Sequence, residues 1–463
     1  MNTAYVIFIS LVAAMGGLLF GYDTAVISGT VESLRIHFQL DALELGWVVG
    51  SALIGCVVGA AVAGKLTDWY GRRSILAASA CLFLASSMWC YWAPSVQQLV
   101  VARVLGGVGV GFASLLVPVY IAELAPPHNR GALVSLNQVA ILIGMVLSYI
   151  VNAWIGAGGD VAWLANTGWR LMLGAEAIPA LIFLILSATV PESPRWLLKQ
   201  GREQGALNIL ERLHGTVAAT EELSEIRGVA TCEDGTVSEL FRCGRRGMLI
   251  MAVVLALFQA ITGINIVMYY APMIFTSAGI GTGTALGHSV IIGLVMLAFT
   301  VGSMFLVDRV GRRPIMLVAA AGMGISLMLL GLMFTQASSN GYWLLFWTLT
   351  YVSSFSIGMG GIYWVVVSEI FPTRVRGAAT SLSVVFLWGG NYLVSQFFPA
   401  MLGTLKGNVF YIFALMCALC FAFILLFVPE TKGKTLEEIE AELFGGVGAI
   451  VASAARKPVK AIS

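Results

Sequence analysis

Long apolar stretches alternate along this chain with short segments that hold most of its charge. A helix needs about 20 mostly apolar residues to cross the hydrocarbon core of a bilayer. Twelve stretches meet that requirement, at 5–29, 44–64, 74–93, 97–121, 132–154, 171–190, 248–277, 286–306, 314–335, 342–367, 377–401 and 408–428. They predict four units: an N-terminal six-helix bundle over 1–190, a polar linker over 191–247, a C-terminal six-helix bundle over 248–428 and a tail over 429–463. Helical periodicity returns over Arg202–His214 in the linker and Leu436–Phe444 in the tail. Those pieces read either as amphipathic helices lying under the bundles or as plain connector.

Of the 26 Lys and Arg residues, 22 fall in the tail or in loops that follow even-numbered stretches; the others are Arg35, Arg103, Arg170 and Lys406. Loops rich in Lys and Arg stay in the cytoplasm. Both termini and the linker are therefore expected there, in a multi-pass protein of the inner (plasma) membrane. The first stretch lacks a basic flank and contains Asp23, unlike a cleaved secretory signal.

Composition agrees. Across 463 residues the chain is 59% hydrophobic and only 11% charged, against about 25% charged in an ordinary soluble domain. A net charge of +2 makes no case for nucleic acid. The seven cysteines show neither metal-ligand spacing nor a paired pattern, so no metal and no cofactor is expected. No Gly-rich phosphate loop is present to couple ATP. The chain does not read as an enzyme.

One loop signature occurs twice. Gly64-Lys-Leu-Thr-Asp-Trp-Tyr-Gly-Arg-Arg recurs as Val307-Asp-Arg-Val-Gly-Arg-Arg, with Asp68 and Asp308 240 positions apart. Glu123 and Arg130 recur as Glu369 and Arg376, each 246 positions on, and Pro191-Glu192 recurs as Pro429-Glu430, 238 positions on. Landmarks at nearly one offset mean two copies of one unit. In a chain this apolar, two parallel halves are the signature of a two-bundle transporter.

Asp23, Arg103 and Glu176 fall inside apolar stretches 1, 4 and 6. A charge at the bilayer centre costs at least about 2.5 kcal/mol, so such residues face the bundle interior and pair. Guanidinium stays charged and is the natural partner of both carboxylates. The trio reads as a static ion pair or as a proton switch in which Asp23 takes up a proton when the pair opens. Its placement in a transporter favours the switch. Asp68, Arg72, Arg73, Glu123 and Arg130, with their copies Asp308, Arg312, Arg313, Glu369 and Arg376, sit at cytoplasmic helix ends. They read as an intracellular gate, a charge network between bundles, or as ordinary helix-end charge; the repetition favours the gate.

The two Arg-Arg loops, Arg103-Val-Leu-Gly-Gly-Val-Gly-Val-Gly, Pro191-Glu-Ser-Pro-Arg-Trp-Leu and Pro429-Glu-Thr-Lys-Gly-Lys-Thr-Leu-Glu-Glu resemble the sugar porters of the major facilitator superfamily. The opening Gly16-Gly-Leu-Leu-Phe-Gly-Tyr-Asp and the segment Ala157-Gly-Gly-Asp-Val-Ala-Trp-Leu are most similar to bacterial D-xylose–proton symporters within it. The resemblance implies an all-α membrane protein of the major facilitator fold, with twelve transmembrane helices in two bundles and cytoplasmic surface helices. It implies a sugar site between the bundles at positions matching Gln138, Gln259, Asn265, Gly360, Trp364 and Trp388, with Phe20 and Tyr269 lining or gating it. Amides donate to and accept from hydroxyls, and Trp offers an apolar face and an indole N–H. The amides also read as helix-packing hydrogen bonds. The chain departs from the family at Met145, Ala260, Met296 and Leu387, where xylose binders carry polar side chains. The expected function is proton-coupled import of a monosaccharide, xylose or a related pentose or hexose, by a monomer in the lipid bilayer. The alternatives are a passive facilitator and a sugar receptor that does not transport.

Overall fold

A computed structural model describes residues 3–126, 129–216, 246–335, 341–371 and 373–434, together with 219, 220, 222–224 and 227. No strand occurs among them. The first half holds α1 (Thr3–Phe38), α2 (Ala42–Tyr70), α3 (Arg72–Trp92), α4 (Val96–Leu124), α5 (Arg130–Gly156) and α6 (Val161–Ser187). The second holds α7 (Arg246–Ile261 and Ile264–Ser277), α8 (Thr282–Val310), α9 (Arg312–Thr335), α10 (Gly341–Ile357 and Ile362–Ile370), α11 (Thr373–Leu405) and α12 (Val409–Phe427). Twelve spans are thus present among the described residues, and a 3₁₀ turn, Lys406–Asn408, separates the last two.

The sixth span begins ten residues before the predicted 171. A π turn over Leu164–Gly168 carries the helix through polar Asn166 and Thr167, which hid it from a hydropathy reading. The same helix is interrupted again at Ala175 and Glu176. Pro179 lacks the N–H that would donate to the Ala175 carbonyl four residues back.

Short loops at one end of the bundle are set by caps. Asp41 Oδ1 accepts from Leu43 N and Glu44 N at 2.8 Å each, and Glu44 Oε2 accepts in return from Asp41 N at 3.0 Å, starting α2 after a connection of three residues from α1. Asp160 caps the first turn of α6 through Trp163 N at 2.8 Å. Inside the halves, small residues let backbones approach. A Cβ on Gly107 of α4 would stand 1.9 Å from the Ala52 carbonyl of α2, and one on Gly144 of α5 would stand 1.9 Å from the Leu18 carbonyl of α1.

The halves meet at the end opposite the Arg-Arg loops. There α2 packs on α11, with Gln396 Nε2 donating to Leu43 O at 2.8 Å and Trp47 edge-on to Tyr392 at 6.4 Å. Next to them α5 packs on α8 and α1 packs on α7; the Tyr149 hydroxyl of α5 donates to Met268 O of α7 at 2.9 Å. In the linker, Pro194–Lys199 and Glu203–His214 are helices whose Leu197, Ala206 and Leu210 form a small apolar cluster of their own. The tail pattern Leu436–Phe444 lies outside the described residues.

Candidate functional site

Asp23 and Arg103 meet where α1 crosses α4. Arg103 Nη1 donates to Asp23 Oδ1 at 3.1 Å and to the Asp23 main-chain carbonyl at 3.2 Å. Both side chains are 2% exposed. Gly106, one turn on from Arg103, makes room: a Cβ there would stand 2.6 Å from Ser86 Oγ and 3.2 Å from Asp23 Oδ1. Glu176 sits at the interruption of α6, buried to 2% and within electrostatic reach of both partners. Asp23 Oδ2, Glu176 Oε1, Arg103 Nε and the Tyr22 hydroxyl, all buried, have no hydrogen-bond partner in the protein. Two carboxyls facing one guanidinium leave one negative charge in a dry interior, where an uncompensated charge is costly. The cluster is neutral when it holds one proton.

A second set of polar groups lies along α7, α10 and α11. Gln259 and Asn265 flank the break in α7, and Gln259 Nε2 donates to Met359 O in the Gly358–Gly361 turn that splits α10. Gln259 Oε1 and Trp388 Nε1 are buried without partners. The Trp388 ring stands 5.7 Å from Phe20, tilted 59°, so α11 and α1 touch across the halves through two aromatic rings. Ala260, Tyr269, Met296 and Leu387 are all buried. Ala260 faces Gly390, where a Cβ would stand 3.0 Å away, so its side is closed by α11. Gln138 on α5 is half-buried, and Trp364, just after Gly360 in the α10 break, is 36% exposed. Neither enters the contacts just named. Asn391, passed over in the sequence, is buried with an unpartnered Oδ1. Its signal was an amide one turn beyond Trp388 on an apolar helix.

At the charged end each half builds the same device. Arg72 forks onto Glu123 through Nε and Nη2, both at 3.1 Å, and Arg312 Nη2 reaches Glu369 at 2.9 Å. Glu192 accepts from the main-chain N–H of Arg72 at 2.8 Å and Arg73 at 3.2 Å; Glu430 accepts from Arg312 N at 3.0 Å and Arg313 N at 3.1 Å. Each carboxylate thereby caps the N-terminus of α3 or α9, which attracts negative charge. Gly71 and Gly311 make this possible: their φ values are +89° and +108°, and a Cβ would strike the glutamate at 2.3 and 2.7 Å. Asp68 is 3.4 Å from Lys199, and Trp196 Nε1 donates to its carbonyl at 2.9 Å, tying the linker to the loop. Arg73 Nη2 donates to Ala188 O at 2.6 Å and Arg313 Nη2 to Leu425 O at 2.5 Å. Arg130 makes a local contact to Ala125 O at 3.5 Å. The side chains of Asp308 and Arg376 lie outside the described residues. A network between the bundles that holds one conformation shut was expected; in the state described here these pairs join residues of the same half.

Burial raises the Glu430 carboxyl, but the N–H groups of Lys432, Arg312, Arg313 and Thr431 outweigh it and hold the group below its usual 4.5. A depressed carboxyl stabilises the fold fully above the unfolded value and loses that effect as pH falls through the folded one. Glu430→Gln is expected to lower the melting temperature at pH 7, and the gap to the parent should close as pH drops below 4.5. A gap constant with pH would mean that the charge contributes nothing.

The family model for sugar (and other) transporters matches residues 9–443. The D-xylose-proton symporter of Escherichia coli (strain K12) is 43% identical over 475 residues, covering 95% of this chain and 96% of the relative. The arabinose-proton symporter of Bacillus subtilis (strain 168) is 40% identical over 441 residues, covering 95% of each. Among solved structures, the inward open conformation of the xylose transporter XylE from E. coli superposes with a TM-score of 0.84 at 42% identity, covering 94% of this chain and 99% of that one. The same carrier bound to 6-bromo-6-deoxy-D-glucose gives 0.77 at 41% identity, covering 96% of this chain and 100% of that one.

Proposed function

The chain belongs to the family of sugar (and other) transporters, and from that premise we propose that it imports a monosaccharide together with a proton, using Asp23 as the proton site. The D-xylose-proton and arabinose-proton symporters among its relatives support that reading, with xylose or a related pentose or hexose as cargo. The observation that carries the coupling is the buried Asp23–Arg103 pair with Glu176 beside it. The pair joins α1 to α4 while Asp23 is charged. A proton on Asp23 removes the Coulomb attraction and frees α1, and Glu176 gives the guanidinium a second partner.

Gln138, Gln259, Asn265, Trp364 and Trp388 hold the sugar beside Gly360, with Phe20 and Tyr269 closing over it. Met296 and Leu387 set which hydroxyls go unmatched; Ala260 acts from behind, since α11 covers it. The charged loops face the cytoplasm with both termini, and the bundles divide at 190 and 248. Contact between the halves at the far end supports an inward-facing reading, as does the TM-score of 0.84 against an inward open carrier. When the cytoplasmic ends close, Glu123, Arg130, Glu369 and Arg376 come together across the seam. The carrier acts as a monomer.

Uptake of labelled D-xylose, L-arabinose and D-glucose, with and without a protonophore, tests the reading. Accumulation abolished by the protonophore is expected; equilibration that ignores it would make the protein a passive facilitator. Arg103→Leu is expected to reduce uptake and move its pH dependence, since it leaves two buried carboxyls without a cation; stripping one partner from a buried pair costs about 3–5 kcal/mol. A pH profile identical to the parent's would remove Arg103 from the mechanism.

A further inference from the structure

The break in α7 leaves a main-chain carbonyl to be satisfied. In a continuous helix Ile266 N–H would bond the Thr262 carbonyl, four residues back. Here it donates to Gly263 O at 3.1 Å, because Gly263 takes left-handed backbone with φ +97°. The Thr262 carbonyl, on a residue with no exposed surface, has lost its helical partner. The hydroxyl of Tyr351, fully buried on α10, donates to it at 3.0 Å.

The internal repeat gives this bond a counterpart. Thr262 lies 239 positions beyond Asp23, and Tyr351 lies 248 beyond Arg103, close to the 240 and 246 that separate Asp68 from Asp308 and Glu123 from Glu369. In the first half a side chain of α4 donates to the main-chain carbonyl of Asp23 in α1. In the second half a side chain of α10 donates to the main-chain carbonyl of Thr262 in α7. The bond to the backbone is kept and the carboxylate is gone. The place of Glu176 falls, 241 positions on, at buried Cys417, within electrostatic reach of Tyr351.

We infer that Tyr351 is a positioning residue, a proton-insensitive latch on the bend of α7 that holds Gln259 and Asn265 in register for the sugar. Gln259 stands one turn before the break and Asn265 two residues after Gly263, so the bend sets the distance and angle between the two amides. With the hydroxyl removed, the Thr262 carbonyl is buried and unpaired, which favours a straighter helix or a hydrated one. The first half binds its carbonyl through an ion pair that a proton can open. The second half binds through a neutral hydroxyl, so its state answers to the sugar. The inference rests on the sugar site proposed above, and its test has an arm that needs no sugar.

The full chain carrying Tyr351→Phe is compared with the parent by hydrogen–deuterium exchange and by calorimetric titration with D-xylose. Faster exchange over 258–266 is expected, with exchange around Asp23 unchanged. D-xylose affinity should fall on the order of tenfold, the loss a poorly satisfied buried carbonyl would produce, while the pH profile of uptake stays where it was. Gly263→Ala, which penalises the left-handed residue directly, should reproduce the loss of affinity if Tyr351→Phe does not fold. Unchanged exchange over 258–266 overturns the latch. Faster exchange with unchanged affinity, or a moved pH profile, overturns the positioning role. If the parent itself fails to bind D-xylose, the proposed cargo is at fault, and the exchange arm still decides the latch.

Discussion

Asp23→Asn should abolish accumulation of sugar against its gradient while leaving counterflow exchange in place. Asn is nearly isosteric, and its amide oxygen still accepts from Arg103, so the crossing of α1 and α4 survives. What disappears is the group that charges and discharges. With Glu176 left as the one carboxylate facing Arg103, the cluster is neutral without a proton, and α1 is no longer held by a charge that the proton gradient can switch. The accumulation ratio in proteoliposomes under an imposed pH gradient should fall to about one, the limit of uncoupled movement. Accumulation at the parent's level would take the proton site away from Asp23.

Gly46→Leu should trap the carrier open at the end where its halves now meet. The Cα of Gly46 faces the backbone of α11 so closely that a Cβ would stand 1.9 Å from the Gln396 carbonyl, and main chain cannot yield as a side-chain tip can. The substitution destabilises only the state in which this end is closed, so the equilibrium moves to the other state. Net transport should be lost by at least two orders of magnitude, as a shift of about 3 kcal/mol or more requires, while sugar binding persists. The readout is alkylation of Ser28→Cys, in a Cys-free background, by a membrane-impermeant thiol reagent. Ser28 is 2% exposed and lines a small cleft between α1, α6, α7 and α8 at that end. Labelling should rise sharply with Gly46→Leu; unchanged labelling would show that the α2–α11 contact does not control access.

Much of the architecture was legible because bilayer-crossing length is a local property of sequence. The apolar stretches placed twelve spans, and the doubled Arg-Arg loops placed the halves. The start of α6 was not legible, since a π turn absorbs Asn166 and Thr167 into a helix whose hydropathy they interrupt. The Asp23–Arg103 pair was readable as the unlike charges of the apolar spans. Its second bond, to the Asp23 carbonyl, was not, because a backbone acceptor leaves no mark on residue type. The same blindness hid Tyr351 among the apolar residues of α10. The charged loops were legible as residue types but not as pairings: Arg72 holds Glu123 of its own half here, and residue type alone does not say which partner a charge takes.

Glu192 and Glu430 carry a mechanical consequence. By capping α3 and α9 from segments that leave α6 and α12, they close the last four helices of each half into a ring of chain, its exit bolted to the turn between the second and third helices of that half. A closed ring resists shear, so a force that reaches α4, where Arg103 holds α1, is shared by the four helices of the ring instead of being spent in a loop. Compliance is then confined to the seam, to Gly46 against Gln396, Gln396 on Leu43 and Tyr149 on Met268, and to the bends of α7 and α10. On the proposed mechanism, two stiff levers with a thin hinge would turn the loss of one buried charge pair into a displacement on the scale of the whole molecule.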